Sequence, residues 1–368
     1  MSSTLGTAYK LSIFGESHGT AIGAVIDAPP PGLELDMDAI LRQMARRAPD
    51  GKDGSTKRVE ADTPQIQSGV LKREDGRLIA TGAPLCVLIH NTNTRSSDYG
   101  NIARIARPSH ADYTGHIHYH GFNDIRGGGH FSGRLTAPLV FAGAVARQAL
   151  AKRGIRVCAH IYSIGEIMDT PFDPCHISDE LSAMLSQSDF PVIDAFQEKR
   201  MKNEVERARM EADSVGGVIE CAVTGIPAGI GAPIFDALEC KIAHAVLGVR
   251  AVKGIEFGAG FAITRMRGSA ANDPIRMQGD RAVTTTNHNG GILGGITNGM
   301  PVVFRAAVKP TASIGLKQES IDYAENRNTE LIIKGRHDSC IVPRAVPVIE
   351  AAAAVSILDE IMAEGKYE

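Results

Sequence analysis

Three short polar stretches hold most of the groups in this sequence that could move a proton or grip an anion. Gly15-Glu16-Ser17-His18-Gly19 gathers a carboxylate, a hydroxyl and an imidazole in one turn, and Arg107-Pro108-Ser109-His110-Ala111-Asp112 flanks a histidine with a cation behind a rigid proline. Gly127-Gly128-Gly129-His130-Phe131-Ser132-Gly133-Arg134 runs a glycine triplet into a histidine and an arginine, just ahead of an alanine-rich stretch. Glycines let a backbone approach a ligand closely, and amides that precede a helix favour negative charge. Later, Asn287-His288-Asn289-Gly290-Gly291 leads into Leu293-Gly294-Gly295, Lys309-Pro310-Thr311-Ala312-Ser313 offers a cation with two hydroxyls, and Lys334-Gly335-Arg336-His337-Asp338 sets cations against one acid. Taken singly, the glycine triplet reads equally well as a flexible turn into a helix, and the GESHG turn reads first as a hairpin turn whose polar residues face water. Together, in a chain whose net charge is only −3, they predict a large anionic ligand set, with Arg134 as a forked cation.

Other chemistries compete for the same residues. Ser17 beside His18 suggests a hydrolase, but the G-x-S-x-G elbow is absent. His116, His118 and His120 alternate, so in a strand all three would share one face and could hold zinc. With no H-E-x-x-H and no nearby acid pair, an ordinary exposed strand face is the preferred reading, and no metal is expected. A metal-dependent hydrolase therefore stands as the alternative, and stoichiometric zinc would be its mark. A silent phosphate-binding protein is a further alternative.

These loops need elements to hold them. At 368 residues and 43% hydrophobic content the chain can build a large core. Strands are expected at Tyr9–Phe14 and Ala21–Ile26 around the GESHG turn, then at Ile66–Val70, Pro84–His90 and Arg156–Tyr162. A helix capped by Asp36 carries Met37, Ile40, Leu41 and Met44 at helical spacing, with Arg42, Arg46 and Arg47 at its polar end. A second helix runs from Pro138 to Lys152 and stops at Gly154, and a charged one runs from Ile193 to Met210. Beyond Gly216-Gly217 the same grammar repeats: strand Gly217–Thr224, a turn, helix Asp236–Gly248, strands Gly260–Arg265 and Pro301–Val308, and an apolar helix Arg344–Met362 with prolines only in its first turn. One compact α+β domain over residues 1–368 is expected, with possible pseudo-repeat halves of about 1–210 and 211–368. No basic tail points to nucleic acid or an anionic membrane, and no stretch has signal or spanning length. Six cysteines without a C-x-x-C pair read as reduced thiols of a cytoplasmic protein.

In order and across nearly the whole chain, FGESHG, RPSHADYT, RGGG, NHNGGILGG, KPTASI and GRHDSCIVPRAVPVIEA resemble chorismate synthases. The resemblance implies a β-α-β sandwich, two four-stranded antiparallel sheets around a helical layer, assembled as a homotetramer. It implies the anti 1,4-elimination of phosphate from 5-enolpyruvylshikimate 3-phosphate to chorismate, which needs reduced FMN (FMNH2) without net redox change. Flavin positions fall on His130, Phe131, Ser132, Arg250, Ala251, Gly294, Lys309, Pro310, Thr311, Ala312, Ser313 and Arg336. Ser17, Arg47, Arg107, Arg134 and Arg344 fall where the substrate's phosphate and carboxylates bind. His18 would protonate the departing phosphate, His110 would stabilise the reduced flavin, and Asp338 would relay a proton. This chain departs from the family's commonest form, GGGRSSARET, at His130 and Phe131, and has Arg250 where asparagine is usual. It also lacks the arginine that often follows Arg47, for which Lys52, Lys57 or Arg58 could substitute. No G-x-G-x-x-G follows a strand, so the family's association with NADP points to an external flavin reductase.

Overall fold

A computed structural model describes residues 3–49, 62–92, 104–333 and 338–367 of the chain. Two five-stranded antiparallel sheets enclose a layer of helices. The first sheet orders its strands as Thr4–Leu5, Lys10–Gly15, Ala21–Asp27, Leu85–His90 and Gln65–Ile66. The second orders them as Ile167–Met168, Arg156–Ile164, Gly217–Thr224, Val302–Val308 and Val252–Phe257. Each sheet exceeds the four strands expected, because short edge strands extend both. The chain crosses from one sheet to the other through helix Thr136–Ala151 and the left-handed Gly154, so strand Arg156–Ile164 already belongs to the second sheet.

The layer between the sheets is apolar because it has no wet side. Helix Thr136–Ala151 packs along the C-terminal helix Val342–Ala363, and Gly143 sits where any Cβ would overlap Ala351. Close approach of two backbones thus explains that glycine. The buried acids Glu350 and Asp359 in this layer are both engaged. Glu350 is fully buried, pairs with Arg46 and Arg147, and accepts from the Ala159 amide at 3.0 Å. Asp359 accepts from the amides of Thr7, Ala8 and Tyr9 at 2.7–2.8 Å. The Tyr9 hydroxyl donates to the Ala142 carbonyl, and burial pushes its pKa far above the ordinary tyrosine value.

Several local expectations need correction. Arg46 and Arg47, placed by sequence on a polar end, are 7% and 3% exposed, while Leu41 faces out at 40%. Arg46 meets Glu350 from 304 residues away and Arg47 meets Asp62 from outside its helix, where helical periodicity cannot see them. The expected strand Ile66–Val70 is two short strands, Gln65–Ile66 and Val70–Lys72, in different sheets. HIHYH is not a strand: Asp112–His118 is a helix, with Tyr119 and His120 just beyond it. His116 stacks on Tyr323 and His118 meets Tyr119 edge-on, and no group of three metal-ligating side chains exists among the described residues. Gly260–Arg265 is a 3-10 turn, because Gly258 and Gly260 take left-handed φ and the Glu256 carboxylate accepts from the Phe261 amide. Pro347 lies inside the last helix, one turn beyond Pro343. Among the described residues no helix is long and apolar enough to cross a membrane.

Candidate active site

The glycine triplet is where two histidines meet. Gly127, Gly128 and Gly129 have φ of 60°, 83° and 52°, a left-handed run that only glycine adopts without strain. A Cβ on Gly127 would lie 2.8 Å from Ser17 Oγ and closer still to the His18 ring; one on Gly128 would lie 3.2 Å from His110 Cε1. The Gly129 carbonyl accepts from the Ser17 amide at 3.1 Å, docking this loop onto the turn after strand Lys10–Gly15. The Gly128 amide is spent on the Ile125 carbonyl. The triplet therefore serves as a thin wall between His18 and His110, not solely as an amide cradle for anions.

On the His110 side, Asp112 is the organiser. Its carboxylate accepts from Arg107 Nε at 2.7 Å and Nη2 at 2.8 Å, from the Arg107 amide at 3.0 Å, and from His110 Nδ1 at 2.6 Å. Burial alone would raise its pKa. The hydrogen bonds from Arg107 and His110, with their charges, instead hold it well below the ordinary carboxylate range. Arg107 Nη1 also reaches Ser313 Oγ at 3.4 Å, and Lys309 Nζ donates to the Ser109 carbonyl at 2.6 Å. The Lys309 amide in turn donates to the carbonyl of Ala251, itself at a left-handed φ of 70°. Arg250 donates to the His130 carbonyl at 2.7 Å and lies over the Phe131 ring at 5.6 Å, and burial draws its pKa down.

On the far side lie three arginines. Asp62 bridges Arg47 at 3.1 Å and Arg134 at 2.5 Å, all three side chains nearly fully buried. Arg134 also donates to Asn91 Oδ1, and the Asn91 amide donates to the carbonyls of Glu16 and Gly19, tying this group to the GESHG turn. Arg344 pairs with Asp338 at 2.6 Å and donates to the Arg47 carbonyl at 3.0 Å. Thr311 Oγ1 donates to the Asp338 carbonyl at 2.7 Å, which joins the two sides.

Most of the expected residues thus converge. Ser132 caps the turn that holds Arg134, accepting from its amide. His130 is turned to the Gly15 carbonyl and to Ser3 Oγ, and with Arg250 and His244 it lines a cavity of about 230 Å3. Pro310 and Ala312 belong to the Lys309–Ser313 loop. Gly294 lies beside Gly295, whose carbonyl accepts from the Leu238 amide at the start of helix Leu238–Gly248. Arg336, with Lys52, Lys57 and Arg58, lies outside the described residues. Asp62, Asn91 and Asp112 were missed from sequence; only Asp112, two residues after His110, left a local signal.

The fold is α+β, and its site gathers three arginines paired with Asp62 and Asp338 and two histidines set against adjacent glycines. Comparison with known proteins is specific. Residues 9–362 match the family described as chorismate synthase. Chorismate synthase of Dehalococcoides mccartyi is 45% identical over 359 residues, 98% of this chain and 96% of that protein. That of Thermococcus kodakarensis is 43% identical over 363 residues, 99% and 98% of the two chains. A crystal structure of chorismate synthase superposes with a TM-score of 0.73 at 27% identity, covering 96% of this chain and 91% of that one. The chain belongs to the chorismate synthase family.

Proposed function

We propose that this chain is a lyase that converts 5-enolpyruvylshikimate 3-phosphate to chorismate, the last common step toward the aromatic amino acids. Family membership over nearly the full length supports this, and the metal-dependent hydrolase has no ligand set among the described residues. The observation that carries the chemistry is the placing of His18 and His110 against adjacent glycines, with Arg47, Arg134 and Arg344 linked beside them. The substrate bears one phosphate and two carboxylates. Forked guanidiniums suit all three anions, and Arg107 adds a fourth cation on the His110 side.

The donor set also fits a reduced flavin: Lys309 with the hydroxyls of Thr311 and Ser313 on one loop, and Arg250 and Ala251 bonded to that loop or to His130. His130, Phe131, Ser132, Pro310, Ala312, Gly294 and Arg336 complete the proposed flavin set. When bound, FMNH2 supplies electron density as the phosphate leaves and an acceptor for the C6 proton. The chain's own groups do the rest. His18 gives a proton to the leaving phosphate, which lowers the charge it departs with. His110 holds positive charge where the cofactor's is negative, and Asp338 accepts a proton at its carboxylate. Ser17 and the arginines fix the substrate, since only a held geometry makes the anti departure probable.

Reduced flavin reaches the protein from a separate, NADP-dependent reductase, because no dinucleotide fingerprint is present. The chain works in the cytoplasm as a homotetramer; exposed Phe122, Phe235 and Phe261 supply apolar surface for such contacts. The test is an anaerobic assay of the purified protein with 5-enolpyruvylshikimate 3-phosphate and photoreduced FMN. Chorismate release is expected, and none with oxidised FMN. No product with saturating reduced flavin would overturn the assignment.

A further inference from the structure

We infer that Asp112 is a positioning residue for the reaction: it fixes His110 with the Nδ1 proton inward and Nε2 toward the site, and holds Arg107 by the same carboxylate. The inference rests on the function proposed above. It begins from hydrogen-bond bookkeeping. His110 Nδ1 lies 2.6 Å from Asp112 Oδ1 and 3.1 Å from Arg107 Nη2. A guanidinium can only donate and a carboxylate can only accept, so the two contacts demand opposite states of Nδ1. The shorter one is to the carboxylate, and Arg107 Nη2 already has an acceptor in the same Oδ1 at 2.8 Å. Nδ1 therefore carries the proton.

That tautomer determines what the other nitrogen can do. His110 Nε2 is turned toward Gly128, where even a methyl group would lie 3.4 Å from it. A neutral ring offers a lone pair there, and a proton received at Nε2 makes an imidazolium whose charge Asp112 balances. Without Asp112 the ring would be free to rotate or to change tautomer. The carboxylate is 6% exposed, so water is a poor substitute. Arg107 and Lys309 also border this loop, the latter bound to the Ser109 carbonyl. Both are cations; the acid bonded to His110 is Asp112, while Asp322 on the neighbouring strand pairs with Arg104.

Asp112→Asn tests this, since an amide offers one acceptor oxygen where Arg107 and His110 both need one. In ligand-free protein labelled with 15N-histidine, the His110 ring, assigned by its loss in His110→Ala, should show the Nδ1-protonated tautomer under conditions where it is neutral. The signal should move toward the Nε2-protonated form in Asp112→Asn. Turnover should fall at least about tenfold in Asp112→Asn and at least about tenfold in His110→Ala, while the double variant should lose clearly less than the product of the two, any excess over His110→Ala being the part carried through Arg107. An Nε2-protonated His110 in the wild-type protein would overturn the inference even if Asp112→Asn fails to fold. So would losses that multiply in the double variant, because a merely structural carboxylate acts independently of His110. The tautomer is read without any reaction, so failure here is distinct from failure of the proposed activity.

Discussion

Gly127→Ala is the most direct probe of the wall between the two histidines. The new methyl would be 2.8 Å from Ser17 Oγ and nearer to the His18 ring, and its residue would sit at φ of 60°. To reach an ordinary carbon contact the ring must retreat by about 1 Å. A catalytic group misplaced by that much loses roughly 10²-fold in rate, and a positioned proton donor is worth about 10² to 10⁴ in all, so turnover should fall by about 10² or more. The left-handed backbone adds about 1–2 kcal/mol of destabilisation, small enough to leave the protein folded. Gly133→Ala is the matched control, because nothing lies within 4 Å of its Cβ position. Anaerobic single turnovers of both variants, with melting curves alongside, should show Gly127→Ala folded and slow and Gly133→Ala fast. A Gly127→Ala variant that turns over at the wild-type rate would refute the reasoning, for then His18 either does not occupy this place or does no work there.

Three further predictions probe other groups. Asp338→Asn removes the acid partner of Arg344 yet keeps its shape; FMN and substrate titrations should stay within a few-fold, while turnover drops at least about tenfold, roughly 1.4 kcal/mol of transition-state stabilisation. A variant that melts early but turns over at full rate would make Asp338 structural. In the second sheet, His160 is clasped by Asp169 at 2.9 Å and Glu220 at 3.0 Å. Burial alone would draw its imidazolium down, but the hydrogen bonds and charges of both acids raise its pKa above the ordinary value. A raised histidine contributes stability that is complete below about pH 6.5 and is lost as pH rises through the raised value, so melting temperature should fall with pH above neutrality in wild type and much less in His160→Gln. Gly143→Ala forces a methyl into Ala351 and should cost about 1–3 kcal/mol by denaturant titration without altering the residues at the site.

What the sequence revealed depended on how local the cause was. Strand Gly217–Thr224 could be placed at both ends, because an apolar, β-branched run after two glycines carries its own signal. The HIHYH segment could not: Gly115 in its helix lies against the Phe131 ring, and alternation over five residues is too short to weigh against such a contact. The polar loops were visible as loops because glycine, proline and charge mark them. Their partners were not, since Asp62 meets Arg134 from 72 residues away and Asn91 meets it from 43. The glycine triplet was noticed for its backbone amides, whereas its decisive property is the absence of side chains beside two imidazoles.

The hold of Asp359 on the turn at Thr7 to Tyr9 has a consequence for synthesis of the chain. The two ends of that contact are 352 residues apart, and the helix carrying Asp359 fills the middle of the molecule. At about 5–20 residues per second, the opening turn of the first sheet waits roughly 20 to 70 s on the ribosome before its anchor is made. For that interval the inner face of the second sheet lacks the helix that covers it, including apolar groups such as Ile161 and Ile219, which are fully buried at the end. Nascent chains stalled before Val342 should therefore be the ones that chaperones hold longest, and release past Ala363 should let this layer close in one step.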